Sequence, residues 1–266
     1  RQIIDLGNTC GWPLILKPAA SSGSRQIHKV LSADGVAPAL SAIHSDFPGA
    51  DPIAEKFVAG PEVSVEAFSW NGRHMILGVT DKITTGAPYF VEIGHNMPSA
   101  LTPDIIERIK AMTLALLESI EHQHGPSHTE IIVSDDGPVI IESHTRTGGD
   151  RIFEMVELVC GVDMIKAMLE GLYCGDPSVS VKMLGGTAIR FLTLPEGIIS
   201  AVAGLEQASA SVGVVRCDID LKVGTVIKLF RNSGERFGYA LATGATAQEA
   251  IDNVNAAMGK ITITVQ

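Results

Sequence analysis

Residues 128–151, HTEIIVSDDGPVIIESHTRTGGDR, constrain the fold more than any other stretch of the chain. Two β-branched runs, Ile131-Ile132-Val133 and Val139-Ile140-Ile141, flank the turn cluster Asp135-Asp136-Gly137-Pro138, a pattern that predicts a β-hairpin. Glu130 opens the first arm and Glu142 closes the second, so antiparallel pairing sets them level at one end. If both face the same side, two carboxylates at about 4 Å repel by roughly 4 kcal/mol at an effective dielectric of 20. A shared proton or an intervening cation relieves that cost. Oxygen donors without Cys or paired His favour Mg²⁺ or Mn²⁺ over zinc. Arg146 and Gly148-Gly149 follow, a fixed cation beside backbone without Cβ, which suits a phosphate or carboxylate brought close. An ordinary hairpin with two solvated rim glutamates fits the same residues.

The rest of the chain narrows the class. Its 266 residues carry a net charge of −10, which argues against a nucleic-acid groove and leaves any basic site local. Apolar stretches are interrupted by Arg190, Pro195 and Glu196, so no membrane span is expected, and no leader pattern points to export. Cys10, Cys160, Cys174 and Cys217 are scattered without metal spacing and read as reduced thiols of a cytoplasmic protein. The chain opens on Arg1 rather than Met, and Arg1–Gly7 reads as the tail of a helix ending at Gly7. A preceding N-terminal portion is therefore expected.

In order along the chain, Pro13–Pro18 is an apolar strand that ends in Lys17. The small-residue stretch from Ala19 to Arg25, with Ser22, Gly23 and Ser24, leads to a second strand at Ile27–Leu31, a flap whose N–H groups suit phosphates. A surface turn fits it equally. Ile53–Val58 and Glu62–Trp70 are strands, and Asn71-Gly72 is a hairpin turn into His74–Thr80. Glu62, Ser64 and Glu66 share one strand face by period two. Asp81–Pro98 reads as a turn-rich loop, in which Glu92 and His95 matter only if it folds over a site. Thr102-Pro103 starts a helix with a buried stripe, closed by Gly125. Two helices, Ile152–Cys160 and Asp163–Leu172, break at Gly161. A boundary at Asp176-Pro177 precedes strands at 187–194, 212–217, 225–230 and 237–242, a helix opened by the capping box Thr246–Glu249, and a strand at 261–265. Arg190 is the one residue of that lobe expected to point at the site.

The joint order (strand with Lys, Ser/Gly flap, Glu-bearing strand, Glu-x-Ser-x-Glu strand, then Glu-(11 residues)-Glu-x-His-x-Arg) resembles the ATP-grasp superfamily of carboxylate–amine ligases. Within it the chain is most similar to the L-amino acid ligases, from about Gly11 to the end, and the segment 238–250 also resembles the C-terminal lobe of biotin-carboxylase-like members. The resemblance implies an α+β ATP-grasp fold: a small lid subdomain (1–58) and a large subdomain (59–177) clasping ATP between antiparallel sheets, then a C-terminal β-rich lobe (178–266). The resemblance also implies an N-terminal α/β domain, expected to precede Arg1.

By the same resemblance Lys17 touches the ATP phosphates under a flap of Ser22, Gly23 and Ser24. Glu55 accepts from the adenine amino group, Phe57 and Val58 line the hinge, and Glu62 holds the ribose. Glu130 and Glu142 ligate Mg²⁺ (or Mn²⁺), Arg146 steadies the transferring phosphoryl group, and Glu92 and His95 close on the metal and substrates, with either one a candidate base for the amine. His144 stands where the family often has Asn, and Gln26 where Gly is common. The implied reaction joins an amino-acid carboxylate to an amine, a second amino acid, through an acyl phosphate, with ADP and phosphate released. A biotin-carboxylase-like enzyme making carboxyphosphate from bicarbonate, or a nucleotide-binding module without catalysis, are the alternatives. The implied partners are small molecules, with a homodimer compatible and neither nucleic acid nor membrane involved.

Overall fold

The computed structural model describes all 266 residues. Its elements run α1 (Gln2–Cys10), β1 (Leu14–Pro18), β2 (His28–Val30), α2 (Val36–Asp46), β3 (Pro52–Lys56), β4 (Glu62–Trp70), β5 (Arg73–Thr84), β6 (Glu92–Met97), α3 (Pro103–Ser119), β7 (Gly125–Ser134), β8 (Gly137–His144), α4 (Ile152–Cys160) and α5 (Met164–Cys174). They continue with β9 (Gly186–Phe191), β10 (Gly197–Ala203), α6 (Leu205–Ser209), β11 (Val214–Asp218), β12 (Val226–Ile227), β13 (Tyr239–Gly244), α7 (Ala247–Met258) and β14 (Thr262–Val265).

Three antiparallel sheets carry the architecture. The lid is a three-stranded sheet in the order β2-β1-β3. Its Leu14 and Leu16 are buried with Val36, Ala39 and Ile43 of α2, so period two turns Ile15 and Lys17 to the opposite face. An eight-stranded sheet in the order β11-β13-β9-β6-β5-β4-β7-β8 forms the body. A third sheet pairs β10 with β12 and β14. The large sheet runs across the segment between α5 and β9, because β6 pairs with β9 from Gly94↔Arg190 to Met97↔Thr187. The division at residue 177 thus follows chain order but not the hydrogen bonding.

The two faces of that sheet differ in chemistry. Val63, Val65, Val79 and Ile131 point to one side and meet Ile109 of α3. Glu62, Ser64 and Glu66 alternate to the other side, as the period-two reading of β4 expects. Further along that second face Phe68, Leu77 and Ile189 bury against Met155, Val156 and Val159 of α4 and Met164 of α5. The helices therefore cover one end of this face and leave its other end to polar groups. Trp70 anchors α5 by donating from Nε1 to the Gly175 carbonyl at 3.1 Å.

Several sequence expectations need correction. α1 runs through Gly7 to Cys10; Gly7 is buried, and a Cβ there would lie 2.4 Å from the Trp12 ring, so the glycine serves close packing rather than a helix end. α3 ends at Ser119, and Gly125 begins β7 instead of closing the helix. The stretch read as a loop from Asp81 contains the end of β5 and all of β6. Gly94 and Asn96 disfavour a strand locally, but β5 and β9 on either side supply the backbone partners that override propensity. β10 and α6 had no strong sequence signal: Gly197–Ala203 is half alanine and small residues, and it gains its state from pairing with β14.

Candidate functional site

Strand register sets the polar side chains in rows across the end of the large sheet that α4 and α5 leave uncovered. Ser64 pairs with Glu130, and Glu130 with Glu142, so both glutamates sit on one face as the hairpin reading requires. A bulge that skips Ile141 keeps Glu142 on that face. One row over, Glu66 pairs with His128 and His128 with His144. On the other side Glu62 pairs with Lys82 and Lys82 with His95. A second irregularity, which leaves Ile93 unpaired, returns Glu92 to the face that strict alternation would deny it.

Lys82 is the electrostatic centre of this array. Its side chain is 4% exposed, and its Nζ donates to Glu62 Oε1 at 2.5 Å and Glu130 Oε1 at 2.7 Å, with Glu92 Oε1 at 3.6 Å. Burial alone would push the ammonium toward neutrality, yet Glu130, Glu62 and Glu92 outweigh it and hold the lysine charged, its pKa raised. Burial raises Glu62 against the pull of Lys82, and the nearby Glu130 charge adds to the rise. Glu130 itself moves down: burial opposes ionisation, but Lys82 and His128 win.

His128 bridges two carboxylates. Its Nδ1 lies 2.6 Å from Glu66 Oε1 and its Nε2 3.1 Å from Glu130 Oε1. A ring with an acceptor on each nitrogen donates from both, so it is an imidazolium. Burial works against that charge, but Glu66 and Glu130 raise the pKa to about 10. Glu66 is fully buried and takes a further bond from Ser64 Oγ at 3.1 Å, while its Oε2 has no partner. Gly148 lies directly over this pair, since a Cβ there would fall 2.8 Å from His128 Nδ1. Because the folded pKa exceeds the ordinary 6.5, the pair's stabilisation is full below about pH 6.5 and fades as pH rises toward 10. Urea unfolding of the wild type is expected to lose a few kcal/mol over that window relative to His128→Asn. Parallel curves for the two proteins would mean the ring is neutral in the fold.

On the lid side, Lys17 Nζ reaches Glu55 Oε2 at 2.9 Å and Glu142 Oε2 at 3.9 Å. Glu142 also accepts from His144 Nε2 at 3.0 Å. At the far side, Asp150 receives both Nη atoms of Arg236 and lies 3.0 Å from His95 Nε2. Those bonds hold its carboxyl well below the usual range, against the effect of burial. Ser24 Oγ donates to Glu92 Oε1 at 3.3 Å, and Ser233 Oγ donates to Glu92 Oε2. A cavity of about 360 Å³ opens here between Asp150, Arg151, Phe153, Phe191, Arg236 and Tyr239. Asp150 and Arg151 both have left-handed backbone, with φ of 52° and 65°. Two such non-glycine residues in succession cost energy, which is commonly stored at working sites.

Direct contacts thus tie the lid to the body at Lys17–Glu142 and Ser24–Glu92, with Glu55 on Lys17, while on the body Glu62, Glu92 and Glu130 converge on Lys82 and His95 meets Asp150. Others stay apart. Ser22 and Arg146 are exposed, and the only hydrogen bond of the Arg146 guanidinium runs from Nη1 to the Thr147 carbonyl at 2.8 Å. Gly23 lies in the flap turn, and Phe57 follows β3 with Lys29 Nζ 3.6 Å over its ring; Val58 continues the same connection. Glu55 is engaged by Lys17. Arg190 is a correction: it shares the parity of Ala188, on the face that packs against α7, and lies across the sheet from His95. Sequence reasoning missed Lys82, Glu66, His128, Asp150, Ser233 and Arg236 as members of the site. Parity with Glu130 marks His128, and a longer β5 would have marked Lys82. Ser233 and Arg236 carry no local signal.

A small β lid whose Lys17 and Ser24 reach carboxylates on the polar end of a larger antiparallel sheet makes a two-part clasp. Residues 10–154 match the ATP-grasp domain model, and the chain belongs to that family. Residues 190–266 match L-amino acid ligase C-terminal domain 2. Among curated proteins, it is 27% identical over 247 residues to the uncharacterized protein y4rH of Sinorhizobium fredii, covering 90% of this chain and 50% of that one. It is 22% identical over 232 residues to the L-arginine-specific L-amino acid ligase of Bacillus subtilis, covering 83% and 55%. The L-amino acid ligase from Bacillus licheniformis shares the fold at a TM-score of 0.80 and 20% identity, over 96% of this chain and 64% of that one. The chain spans about half the length of the curated relatives it matches. No helix is long and apolar enough to cross a membrane.

Proposed function

We propose that the protein carrying this chain is an ATP-dependent ligase that joins an amino-acid carboxylate to an amine, a second amino acid, through an acyl phosphate. The carrying observation is the Glu130–Glu142 pair, level on one sheet face, with Lys82 on the first and Lys17 near the second. The matches to an ATP-grasp domain and an L-amino acid ligase C-terminal domain support the same reading.

Glu130 and Glu142 suit a divalent ion as donors. An ion held there would take these two carboxylates from the protein. That is the habit of Mg²⁺. When bound, Mg²⁺ offsets phosphate charge and polarises the phosphorus–oxygen bond to be broken. Lys17 binds the phosphates from the lid, and the turn at Ser22, Gly23 and Ser24 covers them. Glu62 holds the ribose, with Glu55, Phe57 and Val58 at the adenine end.

A carboxylate oxygen then attacks the γ-phosphorus and ADP leaves. The amine attacks the acyl carbon, the carbon–oxygen bond breaks, and phosphate departs. Lys17 and Lys82 counter the charge that gathers as two anions approach, and Arg146, exposed and bonded only to the Thr147 carbonyl, joins them by swinging inward. The amine must also lose a proton. Of the two bases read from sequence, neither is free: Asp150 accepts from His95 Nε2, and the His95 Nδ1 is buried without a partner. Both Glu92 oxygens are taken by serine hydroxyls. The cavity beside Asp150 receives the amino substrate.

The test is phosphate release from ATP by the complete protein with mixed amino acids, with bicarbonate, and with neither. Release is expected only with amino acids, accompanied by a dipeptide mass. Release with bicarbonate alone would assign a carboxylase, and no release in any arm would leave a nucleotide-binding module.

A further inference from the structure

The turn at residues 232–236 reaches from the C-terminal lobe to three segments that are remote from it in sequence. Ser233 N donates to the Gly23 carbonyl of the flap at 3.0 Å, and Ser233 Oγ donates to Glu92. Arg236 Nη1 donates to the Glu92 carbonyl at 3.0 Å and to Asp150 Oδ2 at 2.8 Å. The Arg236 guanidinium also stacks on Phe191 at 3.7 Å. Ser24 of the flap closes the circuit by donating to the same Glu92 carboxylate. The turn is itself braced, because Asn232 Oδ1 accepts from Gly234 N at 3.0 Å. Ser233 and Arg236 also line the cavity beside Asp150.

We infer that Ser233 and Arg236 are positioning residues: they latch the Ser/Gly flap to Glu92 and Asp150, so that the C-terminal lobe sets how firmly the flap closes and couples that closure to the cavity. Their part in catalysis rests on the proposed ligase reading; their hold on the flap does not. One turn touches both the flap and the cavity wall, so a ligand that moves Arg236 moves the donors that hold Gly23. The Ser233 hydroxyl lies at the centre of this link because the Glu92 carboxylate that accepts from it also accepts from Ser24 Oγ of the flap.

The experiment is limited trypsin digestion of the complete protein. Arg25 is an exposed site in the flap, and exposed Arg146 is the internal reference. Ser233→Ala is expected to speed cutting after Arg25 about five- to tenfold while cutting after Arg146 stays constant, the scale of losing a hydrogen bond or two from a locally opening segment. Ser233→Thr, which keeps the hydroxyl, is expected to restore the wild-type rate. In turnover assays Ser233→Ala is expected to raise the KM for ATP about fivefold and to release phosphate without matching amide product. Equal acceleration at both arginines, or none at either, would overturn the latch. So would a Thr variant no better than Ala. The digestion reads the flap directly and holds its meaning even if the turnover assays detect no ligase.

Discussion

Glu142→Gln is expected to lower turnover about a thousandfold while shifting the melting temperature by only a degree or two. The carboxylate is 40% exposed and its contacts are His144 at 3.0 Å and Lys17 at 3.9 Å, so the amide keeps the shape and loses little stability. What it loses is a charged oxygen donor. A metal ion that stabilises a phosphoryl transfer contributes several kcal/mol, and about 4 kcal/mol corresponds to a factor of a thousand. Steady-state kinetics with ATP and amino acids, beside a thermal melt, separates the two effects. Turnover within about threefold of wild type would remove Glu142 from the chemistry.

Lys82→Met is expected to act the other way, on the fold before the reaction. The methionine fills much of the space, but three carboxylates, Glu62, Glu92 and Glu130, lose their ammonium. Breaking a buried pair by removing one partner costs about 3–5 kcal/mol, because the remaining charge is uncompensated. For a chain of this size that is a fall of roughly 10 °C in melting temperature. The double variant Lys82→Met/Glu62→Gln is expected to recover part of the loss, since one repelling charge has gone. Recovery in the double variant identifies charge as the cause; a melt within about 2 °C of wild type in the single variant would show that Lys82 compensates nothing.

These two residues also mark where the sequence was legible. Glu142 was readable because a hairpin is a local object: turn residues and β-branched arms bring it level with Glu130, although the bulge at Ile141 that turns it to the same face is not written in the alternation. The α4–α5 pair and the capping box of α7 were local in the same sense, and the Thr246 hydroxyl does accept from Glu249 N at 3.1 Å. Lys82 was not readable, because the end of β5 is held extended between Glu62 of β4 and β6, the latter a strand that its glycine and asparagine disguise. Arg190 was misread for a related reason: its facing depends on register with Gly94, which no local pattern states. Asp150 lay inside the stretch that organised the reading, yet its role comes from Arg236, 86 residues later. Local periodicity specifies strands and faces, whereas membership of a site is decided by pairings between distant strands.

One further consequence lies in the seam between β6 and β9. Because the body sheet is stitched across it, neither the first two thirds of the chain nor the last third can be lifted out without baring a row of unpaired amides and carbonyls. Such a raw margin invites pairing with any passing strand. Chimeras that swap the tail of one relative for another must therefore match backbone register at Gly94 and Arg190, whatever they do to the cleft.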